Sequence, residues 1–436
     1  MRQRDCFVAN VCEPFLTFLH REPDPARRSH MIAEEHALAE RAALWGGTDK
    51  VCLLPVPLHT AGLLESRFGY RIEARILGVA DDRLSRAIRG SRGAIAWLAA
   101  IGQTTQLSIT SYASTREFAD LLDSLRARSV PFSADHTAVQ SDGLRVIGRI
   151  ETKAGFRQVA ATLLDGLACN LPEGTTCESA EAALSAARLI CRNTSAAVLK
   201  ANDGEGGFGN VVLSASDLTH IDGAELLRIC PFLGLVSVVE AYIPYVTAPS
   251  VEFFVPPPPM SPAPTYTCTQ FFDRNNYFVG LRLSRTDFSA SWYEPLLEFG
   301  RRLAGYLQEQ GYRGYFDVDA LVTTAGELFV LEANLRRTGG THVHDFAQTV
   351  FGDGYGTRVE IVSRSITIPP QSPAEALHRL SPMLIDLETC SGVLPVIVGT
   401  APQGSIELMV FSEDTRGWRE ACAGAVRALS VGRGGA

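Results

Sequence analysis

Apolar and polar positions along the first 145 residues fall into short apolar runs separated by amphipathic stretches. "VCLLPVPL" (51–58), "RIEARILGV" (71–79) and "LSITSYAS" (107–114) have the length and content of buried strands, while "REFADLLDSLRAR" (116–128) reads as helix. That rhythm predicts an α/β layered unit. His59, in "LLPVPLHTAGLL", is a polar residue closing a strand.

The pattern changes near "RVIGRIETKAGFRQVAATLLDGL". Lys153 opens a helix whose apolar positions Phe156, Val159, Ala160, Leu163 and Leu164 follow helical spacing. "CNLPEGT" breaks it, "SAEAALSAARLIC" forms another helix and "SAAVLKAN" a short strand. "LVSVVEAYI" and "PSVEFFV" read as strands, and "PPPPMSPAP" as an exposed loop, because proline cannot donate to a ladder. "TYTCTQFF" and "NYFVGLRL" suggest a hairpin. The helix "YEPLLEFGRRLAGYLQEQ" stops at Gly311, and the strands "GYFDVDALVT" and "ELFVLEAN" flank the turn "TAGE". Past residue 365, "PVIVGT", "SIELMVFS" and the helix "GWREACAGAVRAL" predict a small α/β appendage ending in a loose "GRGGA". The expected organisation is an N-terminal α/β domain (1–145), a central domain (146–365) and a small C-terminal domain (366–436), with α/β (α+β) as the overall class.

A chain of 436 residues exceeds one compact core, in keeping with that division. Its 40 Lys+Arg against 48 Asp+Glu give a formal charge of -8 without long like-charge runs, which argues against nucleic acid as a partner. Ten cysteines lack CxxC or zinc spacing and read as buried thiols of a reducing cytosol. The start "MRQRDCFVANVCEPF" has no continuous apolar stretch, and "GAIAWLAAIG" is about half the length that spans a bilayer. The expectation is a cytoplasmic protein with no membrane partner, and a homodimer is allowed for.

Two stretches carry candidate chemistry. In "LKANDGEGGFGNVVL", Gly204, Gly206 and Gly209 satisfy GxGxxG, but a dinucleotide fingerprint needs a helix after the third glycine, and "NVVLSAS" reads as a strand. An NAD(P)-dependent oxidoreductase is thereby disfavoured. No Lys-Ser/Thr follows the glycines, so a P-loop is excluded. Strand, Lys200, glycines and strand describe a hairpin whose tip, Gly207 included, can lay backbone N–H groups over phosphates beside the Lys200 charge, or else is an ordinary turn. In "GYFDVDALVTTAGELFVLEAN", pairing through the turn sets Asp319 beside Glu332, and Asn334 shares a face with Glu332. Two carboxylates and an amide oxygen in an apolar frame are a hard-oxygen set suited to Mg²⁺, with phosphate oxygens completing its shell.

The order of lysine, "KANDGEGGFG", "VVEAYI" and Asp…Glu-x-Asn over residues 150–345 resembles the ATP-grasp superfamily. "EANLRRTGGTH" and the flanking domains resemble its pheganomycin-type peptide ligases. The resemblance implies an ATP-grasp fold with an N-terminal pre-ATP-grasp domain. It implies that Lys153 and Lys200 contact nucleotide phosphates, that Glu240, Ala241, Tyr242 and Ile243 form the adenine hinge, and that Glu252 meets the ribose hydroxyls. Asp319, Glu332 and Asn334 would hold two Mg²⁺ ions. The activity implied is ATP-dependent ligation of a carboxylate, activated as an acyl phosphate, to the amine of an amino acid or peptide in antibiotic-type specialised metabolism. A nucleotide-binding regulator without catalysis is the alternative. Arg336 is the expected donor to the oxyanion, with Arg337 alternating to the other side. Arg337, Thr338, Gly339, Gly340 and His342 are the expected substrate contacts, His342 being read as substrate contact or loop rather than metal ligand. In D-alanine–D-alanine ligases an arginine stands two residues before the first metal-binding aspartate. Here Asp317 stands there, which leaves the arginine's role unassigned.

Overall fold

The computed structural model describes residues 2–204, 206–234, 236–413 and 417–430; the "GRGGA" end lies outside them. Four parallel strands, β1 (Gln3–Val8), β2 (Asp49–Leu54), β3 (Arg71–Ile76) and β4 (Gln106–Ser111), form the first sheet in the order β3-β2-β1-β4. Both faces are covered, as a parallel sheet requires. Cys6, Val8, Leu53 and Ile109 pack on helix residues such as Leu98 and Phe118, while Phe7 and Cys52 pack with Trp45 on the opposite side.

A second, antiparallel sheet holds β5 (Gly174–Cys177), β6 (Ala196–Ala201), β7 (Asn210–Ser214) and β8 (Ser237–Ala241), ordered β5-β8-β6-β7. Helix Ala180–Ile190, capped by the Ser179 side chain, lays Ala183, Leu184 and Ala187 on Leu199 and Val239 of that sheet.

The third sheet has eight strands. They are β9 (Pro249–Val255), β10 (Ala263–Phe272), β11 (Phe278–Leu283), β12 (Gly314–Val322), β13 (Leu328–Asn334), β14 (Glu360–Thr367), β15 (Gly392–Ile397) and β16 (Ser405–Ser412), in the order β13-β12-β9-β10-β11-β14-β16-β15. The expected boundary at 365/366 falls inside β14, which pairs with β11 on one side and with β16 from Glu360↔Ser412 to Thr367↔Ser405 on the other. Residues beyond 365 therefore form no sheet of their own. They extend the central one and cover an edge that β14 would otherwise expose. Similarly, helix Ser141–Ile150 crosses the expected 145/146 boundary. Among the described residues no helix is long and apolar enough to cross a membrane.

Helix Tyr293–Glu309 covers β9 and β12, burying Leu296, Phe299 and Leu303 against Phe253 and Phe316, whose rings stack at 5.6 Å. Gly300 lets the helix approach: a Cβ there would lie 2.3 Å from the Phe253 ring. Alanine in mid-helix gains up to about 1 kcal/mol of propensity, whereas overpacking a core costs about 1–3 kcal/mol. Gly300→Ala is therefore expected to destabilise the fold by about 1–2 kcal/mol, seen as a lower urea midpoint at unchanged slope; a raised midpoint would show that the ring moves aside freely.

Candidate active site

A cavity of about 480 Å³ opens where the three sheets meet. The β6–β7 hairpin and β8 form one wall, the β12–β13 pair a second, and Glu35, Leu38, Arg41 and Tyr112 of the N-terminal unit close the far end.

Lys200 comes near the end of β6, opposite Asn210 across the hairpin. Its Nζ lies 2.5 Å from Glu240 Oε2 on β8, and Glu240 is paired also with Arg157. Glu240, Ala241, Tyr242 and Ile243 all border the cavity. Gly206 and Gly207 border it as well, at a tip seated on the β10–β11 turn. There Phe278 N donates to Gly206 O at 3.0 Å and the Phe208 and Tyr277 rings stack at 4.5 Å. Gly207 adopts φ +87°, and a Cβ on it would lie 2.2 Å from Asn276 O, so glycine is required at this contact. Gly204 and Gly209 face away from the cavity, onto Phe18 and Ala201.

The β12–β13 register places Asp319 opposite Glu332 and Asp317 opposite Asn334, and all four side chains border the cavity. Asn334 Nδ2 donates to Asp317 Oδ1 at 2.8 Å and to Asp319 Oδ2 at 3.2 Å, and Gln270 Nε2 donates to Asp319 Oδ1 at 2.8 Å. Lys153, capped into its helix by Thr152, is not among the side chains that border the cavity. Its Nζ lies 2.6 Å from Glu332 Oε2 and donates to Gly204 O at 2.5 Å. Lys153 thus stands behind Glu332 and the glycine loop, in contact with a carboxylate that borders the cavity.

Burial, and then the neighbouring Asp317 and Glu332 charges, push the Asp319 carboxyl well above its ordinary value. Burial raises Asp317 to about 7 against the opposing Asn334 bond and Arg336 charge. Burial would raise Glu332 too, but Lys153, with Lys200 and Arg336 behind it, outweighs that and holds it low. The patch has more carboxylate than nearby cations neutralise, and a divalent cation fits that deficit. Among the described residues no three Asp, Glu, His or Cys side chains converge as a ligand set, so substrate or phosphate oxygens would have to complete the shell. Turning the Asn334 amide by half a turn would present its oxygen to a cation.

Arg336 is fixed by several partners. Nη1 donates to Asn334 Oδ1 at 2.9 Å and lies 3.2 Å from Glu151 Oε1, Nε donates to Tyr112 Oη at 3.2 Å, and the guanidinium covers the Phe15 ring at 4.8 Å. Thr338 and Gly339 border the cavity; three other expected substrate contacts do not. Arg337 is caged by Tyr315, Phe7 and Trp45 at 4.3–5.2 Å and paired with Asp345 at 3.3 Å. Gly340 lies against the Tyr266 ring. His342 is fully buried, 3.1 Å from Glu407 Oε1.

Glu252 lies apart from the cavity. It is fully buried on β9, accepting hydrogen bonds from Thr265 at 2.8 Å, from Thr338 at 3.1 Å and from Thr341. In "PSVEFFV" nothing distinguishes a glutamate facing ligand from one facing threonines. Asp317, Gln270, Arg41 and Glu407 are site residues that carried no role in the sequence reading. Arg41 donates through Nε and Nη2 to Glu407 Oε2 at 3.0 and 2.7 Å across 366 positions, a separation no local motif reports.

Three sheets around one cleft, with a glycine-tipped hairpin facing a carboxylate-bearing strand pair, make up the ATP-grasp fold. No family model and no curated protein matches the sequence. Among solved structures the chain is similar to an ADP complex of an N5-carboxyaminoimidazole ribonucleotide synthetase at 12% identity, covering 97% of this chain and 96% of that one with a TM-score of 0.53. A biotin carboxylase from Campylobacter jejuni, in complex with an ATP compound, is 14% identical over 97% of this chain and 89% of its own, at 0.53. An Aspergillus clavatus N5-carboxyaminoimidazole synthase with ADP and aminoimidazole ribonucleotide gives 11%, 98% and 99%, at 0.54. Likeness at such identities shows the fold.

The Glu252 environment sets a pH dependence. Burial raises this carboxyl to about 7, against the Thr341 and Thr265 bonds. A raised folded value means its stabilising contribution is full below the unfolded value near 4.5 and is lost as pH rises through about 7. Between pH 5 and 8 the native protein should lose roughly 2–3 kcal/mol relative to Glu252→Gln, read from denaturation midpoints at both pH values. Parallel profiles would show that Glu252 ionises as in the unfolded chain.

Proposed function

We propose that the protein is an ATP-dependent carboxylate–amine ligase. One observation carries this reading: a single cavity takes in Lys200, the glycine tip, residues 240–243 and the Asp319/Glu332/Asn334 patch together. Residues 240–243 would receive the base, and Lys200 would supply positive charge beside the phosphates. Asp319, Glu332 and Asn334 would hold Mg²⁺, two ions on the reading taken from the sequence, which when bound neutralises charge on the phosphoryl oxygens. Lys153 keeps Glu332 ionised for that task.

In the first step a carboxylate oxygen attacks the γ-phosphorus and the bond to the bridging oxygen breaks, giving an acyl phosphate and ADP. In the second, an amine nitrogen forms the C–N bond, the C–O bond to phosphate breaks, and phosphate leaves with the electron pair while the nitrogen's surplus protons pass to phosphate and solvent. The second step needs a donor at the developing oxyanion. Arg336 supports that role because Glu151, Tyr112 and Phe15 pre-position its guanidinium at the cavity wall. Its charge also acts on Asp317, the residue that stands where an arginine is missing. The finer reading is a peptide-forming ligase of specialised metabolism acting in the cytoplasm on amino acid or peptide substrates, and it rests on "EANLRRTGGTH".

Phosphate release from ATP with Mg²⁺ and pooled amino acids and peptides is expected to need both a carboxylate and an amine, and to vanish in Glu332→Ala. Lys200→Ala should lower kcat/KM for ATP roughly 10–100-fold, the worth of one charge-assisted hydrogen bond, with the fold intact because Arg157 still pairs Glu240. ATP binding without turnover for any pair would favour the regulatory reading; no ATP binding would sink both.

A further inference from the structure

The glycine loop carries two features that the nucleotide reading leaves unused. Gly204 and Gly209 turn from the cavity, and Asp203 beside them is paired with Arg21 of the N-terminal unit. Both features meet one short segment, the 3₁₀ turn Glu13–Phe15 that runs on into the helix Leu16–Leu19. Its start is pinned inside the N-terminal unit, where the buried Glu13 carboxylate accepts hydrogen bonds from Asn10 Nδ2 at 2.9 Å, Thr115 Oγ1 at 2.8 Å and Ser85 Oγ at 3.0 Å.

Three side chains, each three residues from the next, reach from this segment to the central domain. Phe15 lies under the Arg336 guanidinium at 4.8 Å. Phe18 stacks on Phe232 at 4.6 Å and is the surface on which the loop closes, since a Cβ on Gly204 or Gly209 would lie 3.4 or 3.1 Å from its Cε2. Arg21 donates through Nη1 and Nη2 to the two Asp203 oxygens, each at 2.6 Å, and through Nη1 to Phe232 O at 3.1 Å. A two-pronged guanidinium–carboxylate pair fixes orientation as well as distance. That matters here because glycines at 204, 206, 207 and 209 give the loop backbone more freedom to lose on ordering than other residues would. The segment thus touches two working parts from different walls of the cavity, the hairpin through Phe18 and Arg21, and Arg336 through Phe15.

We propose that residues 13–21 are the part of the N-terminal unit that positions the site: Phe18 and Arg21 hold the glycine hairpin in the shape that receives phosphate, and Phe15 holds Arg336. All three are positioning residues, and none of them borders the cavity. What the hairpin and Arg336 are held for rests on the ligase reading; the holding itself does not.

The first test is hydrogen exchange of the full chain without nucleotide. Arg21→Ala is expected to speed exchange of the β6–β7 hairpin amides about two- to fivefold, the worth of a partly exposed ion pair, and to leave β12 and β13 unchanged. Asp203→Asn should match it, and the double variant should add nothing further. A hairpin that exchanges at the wild-type rate, or exchange that quickens throughout the chain, overturns the positioning role. The second test is the kinetics of ligation. Arg21→Ala should raise KM for ATP by a similar factor at unchanged kcat, with Arg21→Lys, which keeps the charge and loses the fork, falling between. Phe15→Leu, which keeps the apolar packing and loses the ring, should lower kcat about three- to tenfold at unchanged KM for ATP. A rise in KM and a fall in kcat together in both variants would show general loosening of the interface and overturn the division of roles. If hairpin exchange responds to Arg21→Ala and Asp203→Asn but ATP is neither bound nor turned over, the positioning of the hairpin stands and the ligase reading falls.

Discussion

The antiparallel register of β12 and β13 puts Asp317, Asp319, Glu332 and Asn334 on one surface, and the surrounding structure is arranged around the charge this creates. Three carboxylates in an apolar frame are costly unless compensated. Lys153 neutralises Glu332 and in the same gesture holds the Gly204 carbonyl, which joins the carboxylate patch to the glycine hairpin. Arg336 reaches Asn334 from the next residues of the chain and carries the network to Glu151, Tyr112 and Phe15. The protein's own cations leave Asp317 and Asp319 undercompensated. That deficit is the physical reason the site suits a metal–phosphate complex better than a neutral ligand.

Much of this patch was legible in the sequence because its geometry is local. "TTAGE" closes a short turn, so thirteen positions of separation translate directly into the Asp319↔Glu332 pairing. The hairpin at Lys200 was legible for the same reason, since the strand following Gly209 could be read from seven residues. What could not be read depends on which way a side chain faces among distant elements. Glu252 and His342 have the residue types of a site but are consumed by threonines and by Glu407 in the interior. Arg41 and Glu407, widely separated in the chain, meet only because β16 joins the central sheet. That same joining puts the expected boundary inside a paired strand: β14 runs through residue 365 with partners on both sides, which no composition shift announces.

Arg336 and Arg337 show how one peptide unit partitions the protein. Successive side chains of an extended segment point oppositely. Arg336 borders the large cavity and is bound by polar partners. Arg337 turns into an aromatic cage, and its backbone N–H donates to Tyr112 O at 3.1 Å, tying the N-terminal unit to the central sheet. Glu407 strengthens the same junction from the other side. Burial alone would raise its carboxyl, but Arg41 and His342 outweigh it and hold it ionised. The N-terminal unit is thereby fixed as a wall of the cavity.

The glycine hairpin is held differently. Besides the Lys153 bond to Gly204 O at its base, its tip and outer side are tied by the Arg21–Asp203 pair at 2.6 Å with both side chains about one-third exposed, the Phe208–Tyr277 stack, and the Gly206–Phe278 backbone bond. Partly exposed ion pairs and aromatic stacks are each worth about 1 kcal/mol or less, and a backbone bond about the same. Lifting the tip therefore costs a few such contacts, with no buried charge exposed, provided that Lys153 stays with Glu332. Separating the N-terminal unit would instead break the buried Arg41–Glu407–His342 network and strip the cage from Arg337. The weaker tie is the one that gives access, so the hairpin end of the cleft is the end whose opening leaves the carboxylate patch undisturbed.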